Sequence, residues 1–239
     1  MRGIVLNRYK QSETSLLLKI FMEEMGLITV YIRGGLKRKA IPEIGDLLEA
    51  HPKRRGVEGL YSLYQFDIVH KYTFPTSLEI QTFRDIIFEV LSTTLPEEEA
   101  QLPFFATTLA CLDYFDKGSL STEESYFGLW LWLYRYTQSL GLEHDFLSCS
   151  QCGKDEVVTR FSASDIGAVC ADCGPKLHAF SPELVLALDG RSSVESLVTV
   201  TERERLHFTS VMVRYIHKNL SISTSLRSLE FLGSLLGQK

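Results

Sequence analysis

The sequence predicts an α+β chain: a small five-stranded β-barrel at the N-terminus, then an α-helical body with a four-cysteine insertion. Three observations carry this. Five short β-like runs crowd into roughly the first 70 residues, punctuated by Gly, Pro and charged residues and free of helix-length periodicity. Beyond residue 76, apolar residues recur at helical spacing between capping residues and breakers. Two Cys-x-x-Cys pairs stand 17 residues apart. The expected division is 1–75 for the barrel and 76–239 for the helical body, with the cysteine segment, 147–178, inserted in it.

The five runs are Ile4–Leu6, Ser15–Phe21, Leu27–Ile32, Leu47–Ala50 and Tyr61–Val69, the third following a Met25-Gly26 turn signal. Their number and brevity suit a small closed barrel, and the OB-fold is the leading candidate. The third run enters Arg33-Gly34-Gly35-Leu36-Lys37-Arg38-Lys39, and a second basic cluster, Lys53-Arg54-Arg55, precedes the fifth. Residues 1–55 hold 11 Lys/Arg against 6 Asp/Glu, although the whole chain carries a net charge of −5. Cationic side chains around a Gly-containing loop can follow a phosphate backbone, with binding that depends on salt and ignores sequence. A solvated barrel loop has the same composition. Two clusters on an otherwise acidic chain favour the nucleic-acid reading. Tyr9, Tyr31, Tyr61 and Tyr64 are candidates for base stacking, and equally for barrel core or strand pairing.

Thr76 or Ser77 caps a first helix that runs to about Leu95, with Leu78, Phe83, Ile86, Ile87, Val90 and Leu91 as its apolar stripe and Pro96 as its stop. Pro103 opens a second helix, closed by Gly118. Ser121-Thr122-Glu123-Glu124 is a capping box for a third, which ends at Gly141. Ser181-Pro182-Glu183 starts a short helix, Thr201-Glu202-Arg203-Glu204 is a second capping box, and Ser223 or Thr224 starts the last helix. The aromatic stripes read as core, and Cys111 as a small buried apolar residue.

The pairs are Cys149-Ser150-Gln151-Cys152-Gly153 and Cys170-Ala171-Asp172-Cys173-Gly174. Two thiolates two residues apart reach one ion from a tight turn, and two such turns make the four-sulfur tetrahedron that Zn²⁺ prefers. Gly after each turn tolerates positive φ. Val157–Phe161 and Ile166–Val169, joined by Ser162-Ala163-Ser164-Asp165, predict a zinc-ribbon-like hairpin between the pairs. Four protein thiolates leave no position for water, so the expected zinc, one per chain, is structural. A redox Cys-x-x-Cys pair and a finger that reads nucleic acid are the competing readings. His144 and His178 flank the motif and read as surface residues.

No run approaches the ~20 apolar residues of a membrane span, and the apolar stretch near Met1 is too short for a signal peptide. The cysteines do not make a secreted disulfide scaffold, so the expected location is cytoplasmic. There is no Walker-type loop, no His-Glu-x-x-His and no nucleophile elbow, and a non-enzyme is expected.

Gly3-Ile4-Val5-Leu6, Tyr9-x-x-x-Glu13, the apolar strand ending at Phe21, and Gly26 before a strand entering Arg33-Gly34-Gly35-x-Lys37-Arg38 together resemble the start of the bacterial RecO family. The family loop reads close to Ala-Arg-Gly-Ala-Arg-Lys, from which Leu36 departs. The order of parts, and a terminal stretch from Arg214-Tyr215-Ile216-His217-Lys218 through Leu226–Leu229, extend the resemblance over most of the chain. It implies an OB-fold whose Arg33, Lys37, Arg38 and Lys39 contact DNA phosphates, and structural zinc on Cys149, Cys152, Cys170 and Cys173. Lys53, Arg54 and Arg55 would extend that surface, without a fixed counterpart in the family. It further implies a nucleoid-associated recombination mediator that binds single- and double-stranded DNA, anneals strands, and helps load RecA onto DNA coated with single-strand-binding protein. RecR, and in many bacteria RecF, are its implied partners. Arg214, Lys218 and Arg227 are candidates for docking the acidic tail of single-strand-binding protein. The alternative is a zinc-clipped interaction scaffold in which the basic loop is merely surface.

Overall fold

The computed structural model describes residues 1–56, 60–72, 77–142, 145–163 and 167–236. Thr76, His144, Ser164, Asp165 and Ile166, which carry parts of the cap, flank and hairpin expectations, lie outside the described residues. Alternating apolar residues form β1 (Arg2–Lys10), β2 (Leu16–Met22) and β3 (Gly26–Ile32), an antiparallel meander. β4 (Asp46–Ala50) pairs antiparallel with β1. Then come β5 (Lys53–Arg54), β6 (Leu60–Ser62) and β7 (Phe66–Lys71). β6 runs parallel to β3, and β7 antiparallel to β4. The sheet order is β5-β6-β3-β2-β1-β4-β7. β6 and β7 are successive parts of one stretch, so three residues of chain join one side of the curled sheet to the other. The parallel β3 pairing and this order are the connectivity of the expected five-stranded OB-fold. Val5, Leu16, Leu18, Ile20, Ile28, Val30, Ile32 and Leu48 fill its interior.

The expected fifth strand, Tyr61–Val69, is thus two strands. The reason is a slip of phase. Tyr61 and Leu63 point into the barrel core, and so do Phe66 and Ile68. Strict alternation cannot satisfy 61, 63, 66 and 68 together, because the side-chain period of a strand is two. The chain leaves the ladder at residues 63–65 and re-enters one residue out of phase. β5 is an addition: the Lys53-Arg54 cluster lies on a short strand, not in a loop.

The chain divides into two compact units. The first is Met1–Pro75 with Arg84–Asp116, and the second is Thr76–Phe83 with Lys117–Lys239. Helix α1 (Leu78–Thr94) contributes to both, and α2 (Leu102–Asp116) belongs with the barrel. Phe21 meets Phe105 edge-on at 5.2 Å, the Lys19 ammonium donates to the Ser92 carbonyl (2.7 Å), and the Tyr72 hydroxyl donates to the Asp113 carboxylate (2.7 Å). A strand's apolar period reports that a face is buried, not which helix buries it.

The second unit is built on α3 (Thr122–Ser139), α4 (Pro182–Leu188), α5 (Glu202–Asn219) and α6 (Arg227–Leu236). The Ser121–Glu124 capping box forms as expected. That of α5 does not close: the Thr201 hydroxyl accepts from the Glu204 N–H, but the Glu204 carboxylate accepts from the Ser181 hydroxyl (2.8 Å) at the start of α4. A tertiary partner has replaced the local one. The core is a run of touching rings: Phe83–Tyr126 (4.7 Å), Tyr126–Trp130 (5.3 Å), Trp130–Phe208 (5.4 Å) and Phe208–Phe180 (4.9 Å). The Trp130 indole N–H donates to Thr209 Oγ1 (2.8 Å), which ties α3 to α5. Among the described residues, no helix is long and apolar enough to cross a membrane.

Candidate nucleic-acid interface and cysteine centre

The two basic clusters, separate in sequence, are linked through the sheet: one lies on β5 and the other leaves the end of β3, with β6 between those strands. β6 lies between β3 and β5, with Ser62 opposite both Tyr31 and Lys53. β3 leads into a 3-10 turn, Gly35–Lys37, so Arg33, Lys37, Arg38 and Lys39 lie in the segment that leaves the end of β3. Arg33, Lys37, Lys39 and Lys53 are exposed, and none takes part in an ion pair among the described residues. The others are held. Arg54 pairs with Glu98 (3.3 Å) and the Arg55 guanidinium lies 5.1 Å from the Tyr31 ring centroid. Arg38 donates to the Tyr64 carbonyl (2.9 Å) and lies 5.5 Å from the Phe66 ring centroid. The patch therefore combines free cations with fixed guanidinium groups.

Of the four tyrosines, Tyr9 and Tyr64 are exposed and Tyr61 is core. Tyr31 lies under Arg55 and donates its hydroxyl to Ser15 Oγ (3.0 Å). Tyr64 stands out because the strand breaks beside it. The irregular spacing of Tyr61, Leu63, Phe66 and Ile68 is the sequence signal that a reading of continuous alternation misses.

The cysteine centre is assembled by two turns and a short hairpin, β8 (Arg160–Ser162) with β9 (Gly167–Val169). The Gly153 N–H donates to the Cys149 carbonyl (2.8 Å) and the Gly174 N–H to the Cys170 carbonyl (2.9 Å), so both turns close alike. Their glycines differ in purpose. Gly153 has φ of 71°, as expected. Gly174 is not in the positive-φ region, and it is needed for space: a Cβ there would lie 2.8 Å from Val169 Cγ2. The sulfurs of Cys149, Cys152, Cys170 and Cys173 all lie within 4.8 Å of one another, a group that could hold a metal ion. The Cys170 N–H points at Cys149 Sγ (3.3 Å), and this donor foremost holds the Cys149 thiol down, to about 6. The Cys170 side chain foremost pushes the Cys173 thiol up. The Cys149 thiolate is favoured while Cys173 resists charging, a conflict that a bound cation removes. Phe161 packs edge-on against Tyr215 at 4.9 Å, which seats the centre on α5. Cys111 lies apart, buried, with its thiol pushed up by desolvation.

Arg214 and Lys218 are exposed one turn apart on α5, and Arg227 is exposed at the start of α6. His178 is exposed; its ring packs edge-on against His207 (5.2 Å), which stacks on Phe180 (5.4 Å). That ring cluster has no sequence signal, since it joins residues about 30 positions apart.

Two family models match the chain: Recombination protein O N terminal over residues 1–72, and Recombination protein O C terminal over residues 77–194. A DNA repair protein RecO of Clostridium perfringens (strain 13) is 30% identical over 184 residues, 74% of this chain and 72% of the relative. One from Pasteurella multocida is 29% identical over 82% of this chain and 81% of the relative. One from Lactobacillus acidophilus is 22% identical over 98% and 96%.

Proposed function

The chain belongs to the RecO family of DNA repair and recombination proteins, and from this premise we propose that it is a non-enzymatic mediator that binds DNA through the barrel. Its substrates are single- and double-stranded DNA. It anneals strands and helps RecA replace single-strand-binding protein, together with RecR and, where present, RecF. The single observation that carries this reading is the junction of the two basic clusters across β3, β6 and β5. Cations gathered beyond the end of β3 and on β5 can engage phosphates of one strand and release counterions. Arg33, Lys37, Arg38 and Lys39 are the first contacts, and Lys53, Arg54 and Arg55 extend them. Arg214, Lys218 and Arg227 receive the acidic tail of single-strand-binding protein.

The metal of this reading is Zn²⁺, held by Cys149, Cys152, Cys170 and Cys173. A tetrahedral cage with Zn–S near 2.3 Å needs sulfurs roughly 3.8 Å apart. Cys152 and Cys170 have theirs at 3.8 Å. Four protein ligands make the ion structural, a clip between two turns.

The test is a titration of the full chain with single-stranded and duplex DNA over a range of salt. The expected affinity falls steeply as salt rises, and falls again when Arg33, Lys37 and Lys39 become Ala. Binding indifferent to both changes would favour the scaffold reading instead.

A further inference from the structure

The break between β6 and β7 does more than correct a phase. It turns Tyr64 and Gln65 outward in succession, and leaves Tyr64 66% exposed. Beside them lies an open depression of about 470 Å³, lined by Arg38, Ala40, Tyr64, Gln65, Phe66 and Asp67. Its guanidinium is held in place: Arg38 donates to the Tyr64 carbonyl (2.9 Å) and rests 5.5 Å from the Phe66 ring centroid. A free arginine would lose side-chain entropy on binding a ligand, and this one has already lost much of it. Gln65, just before β7, and Asp67, within it, are both exposed and both line the depression. Asp67 takes part in no ion pair among the described residues. The exposed phenol ring and the held guanidinium offer two flat surfaces, and the amide and carboxylate add polar groups to the same lining.

We propose that this depression takes one unpaired nucleobase of single-stranded DNA and prefers bases with an exocyclic amine. The inference rests on the DNA-binding reading above. Every base has a π-face for Tyr64, and Arg38 adds a cationic one. The edge chemistry selects. A carboxylate accepts from the cytosine N4 amine, whereas thymine turns its O4 carbonyl to that position and repels it. In a duplex the base is stacked and its pairing edge is occupied, so the depression engages only unpaired strands. Lys37 closes the adjacent turn and Lys39 follows it, one on each side of Arg38 in sequence, where phosphates flanking the base can be met.

The experiment measures binding of oligo-dC, oligo-dT and a duplex to the full chain at one salt concentration. Pyrimidine strands are compared because neither stacks strongly on itself. The wild type is expected to bind oligo-dC more tightly than oligo-dT. Tyr64→Ala is expected to weaken oligo-dC about tenfold and leave duplex affinity unchanged, with Tyr64→Phe restoring the wild-type value. Asp67→Asn is expected to bring the dC-to-dT ratio toward one. Equal binding of oligo-dC and oligo-dT by the wild type, or an unchanged oligo-dC affinity in Tyr64→Ala, overturns the pocket. If affinity still falls on replacing Arg33, Lys37 and Lys39, the phosphate-binding reading survives that result. Absence of binding to any DNA overturns both.

Discussion

Gly26 has no room for a side chain. It turns the chain from β2 into β3 with φ of 71°, and a methyl group there would lie 1.9 Å from the Glu99 carbonyl oxygen. Backbone cannot yield as a side-chain tip can. Gly26→Ala should therefore cost about 3 kcal/mol or more, from left-handed strain plus overlap, read as a lower urea midpoint. At the cysteine centre the same scale predicts a different response. Cys170 donates its N–H to Cys149 Sγ and accepts that of Cys173 on its own sulfur, so it links both pairs. Metal analysis of the wild type should give about one zinc per chain. Cys170→Ser should lose the zinc and the cooperative unfolding of the helical body. A metal-free wild type that unfolds cooperatively would contradict this.

At the scale of elements, α3 and α5 are joined by one buried cation. Arg205 is 7% exposed; it pairs with Glu123 (2.8 Å), donates to the carbonyls of Val200 and Leu197, and lies 5.5 Å from the Tyr126 ring centroid. Removing it takes the cation from Glu123 and leaves two carbonyls without their donor, so Arg205→Met should cost about 3 kcal/mol. The same region sets the response to acid. His217, a buried residue of α5 within hydrogen-bond reach of the Thr224 carbonyl (3.0 Å), has its pKa lowered by desolvation. The unfolded chain takes up that proton first. The stability His217 confers is complete above about 6.5 and is lost as pH falls through its lower folded value. Glu123 is also lowered, first by its hydrogen bond from Arg205. Its contribution is present above the ordinary glutamate range and disappears as pH falls below it. Urea midpoints measured from pH 7.5 downward should show two successive losses, the second smaller in Arg205→Met but not abolished, because Glu23, lowered by its hydrogen bond from Arg2, still contributes. A flat profile between pH 7 and 5 would contradict the histidine part.

At the scale of the molecule, the first 55 residues carry 11 Lys/Arg against 6 Asp/Glu in a chain with net charge −5. An acidic protein that binds DNA must do so through a local field, and local fields are screened within about 8–10 Å at ordinary salt. Affinity should therefore follow the number of phosphates neutralised. Replacing Arg33, Lys37 and Lys39 by Ala should lower the slope of log affinity against log salt by about 2 on single strands. Unchanged slopes in the triple variant would show that these cations meet no phosphate.

Periodicity, caps and spacing are local properties, and what they encode was legible. Alternation in Leu16–Met22 and Gly26–Ile32, the Ser121–Glu124 box and the two Cys-x-x-Cys turns each form where the chain itself asks for them. Partnership is not local. That α2 packs with the barrel, that Glu204 serves Ser181 rather than its own helix, and that β6 brings Lys53 beside the strand leading to Arg33 depend on residues far along the chain. Tyr64 lies between the two cases: its broken phase is written in the sequence, but only the folded barrel puts Arg38 against its carbonyl. Short-range sterics and hydrogen bonding choose the elements. Burial of their apolar faces chooses the neighbours, and the neighbours make the surface that meets a ligand.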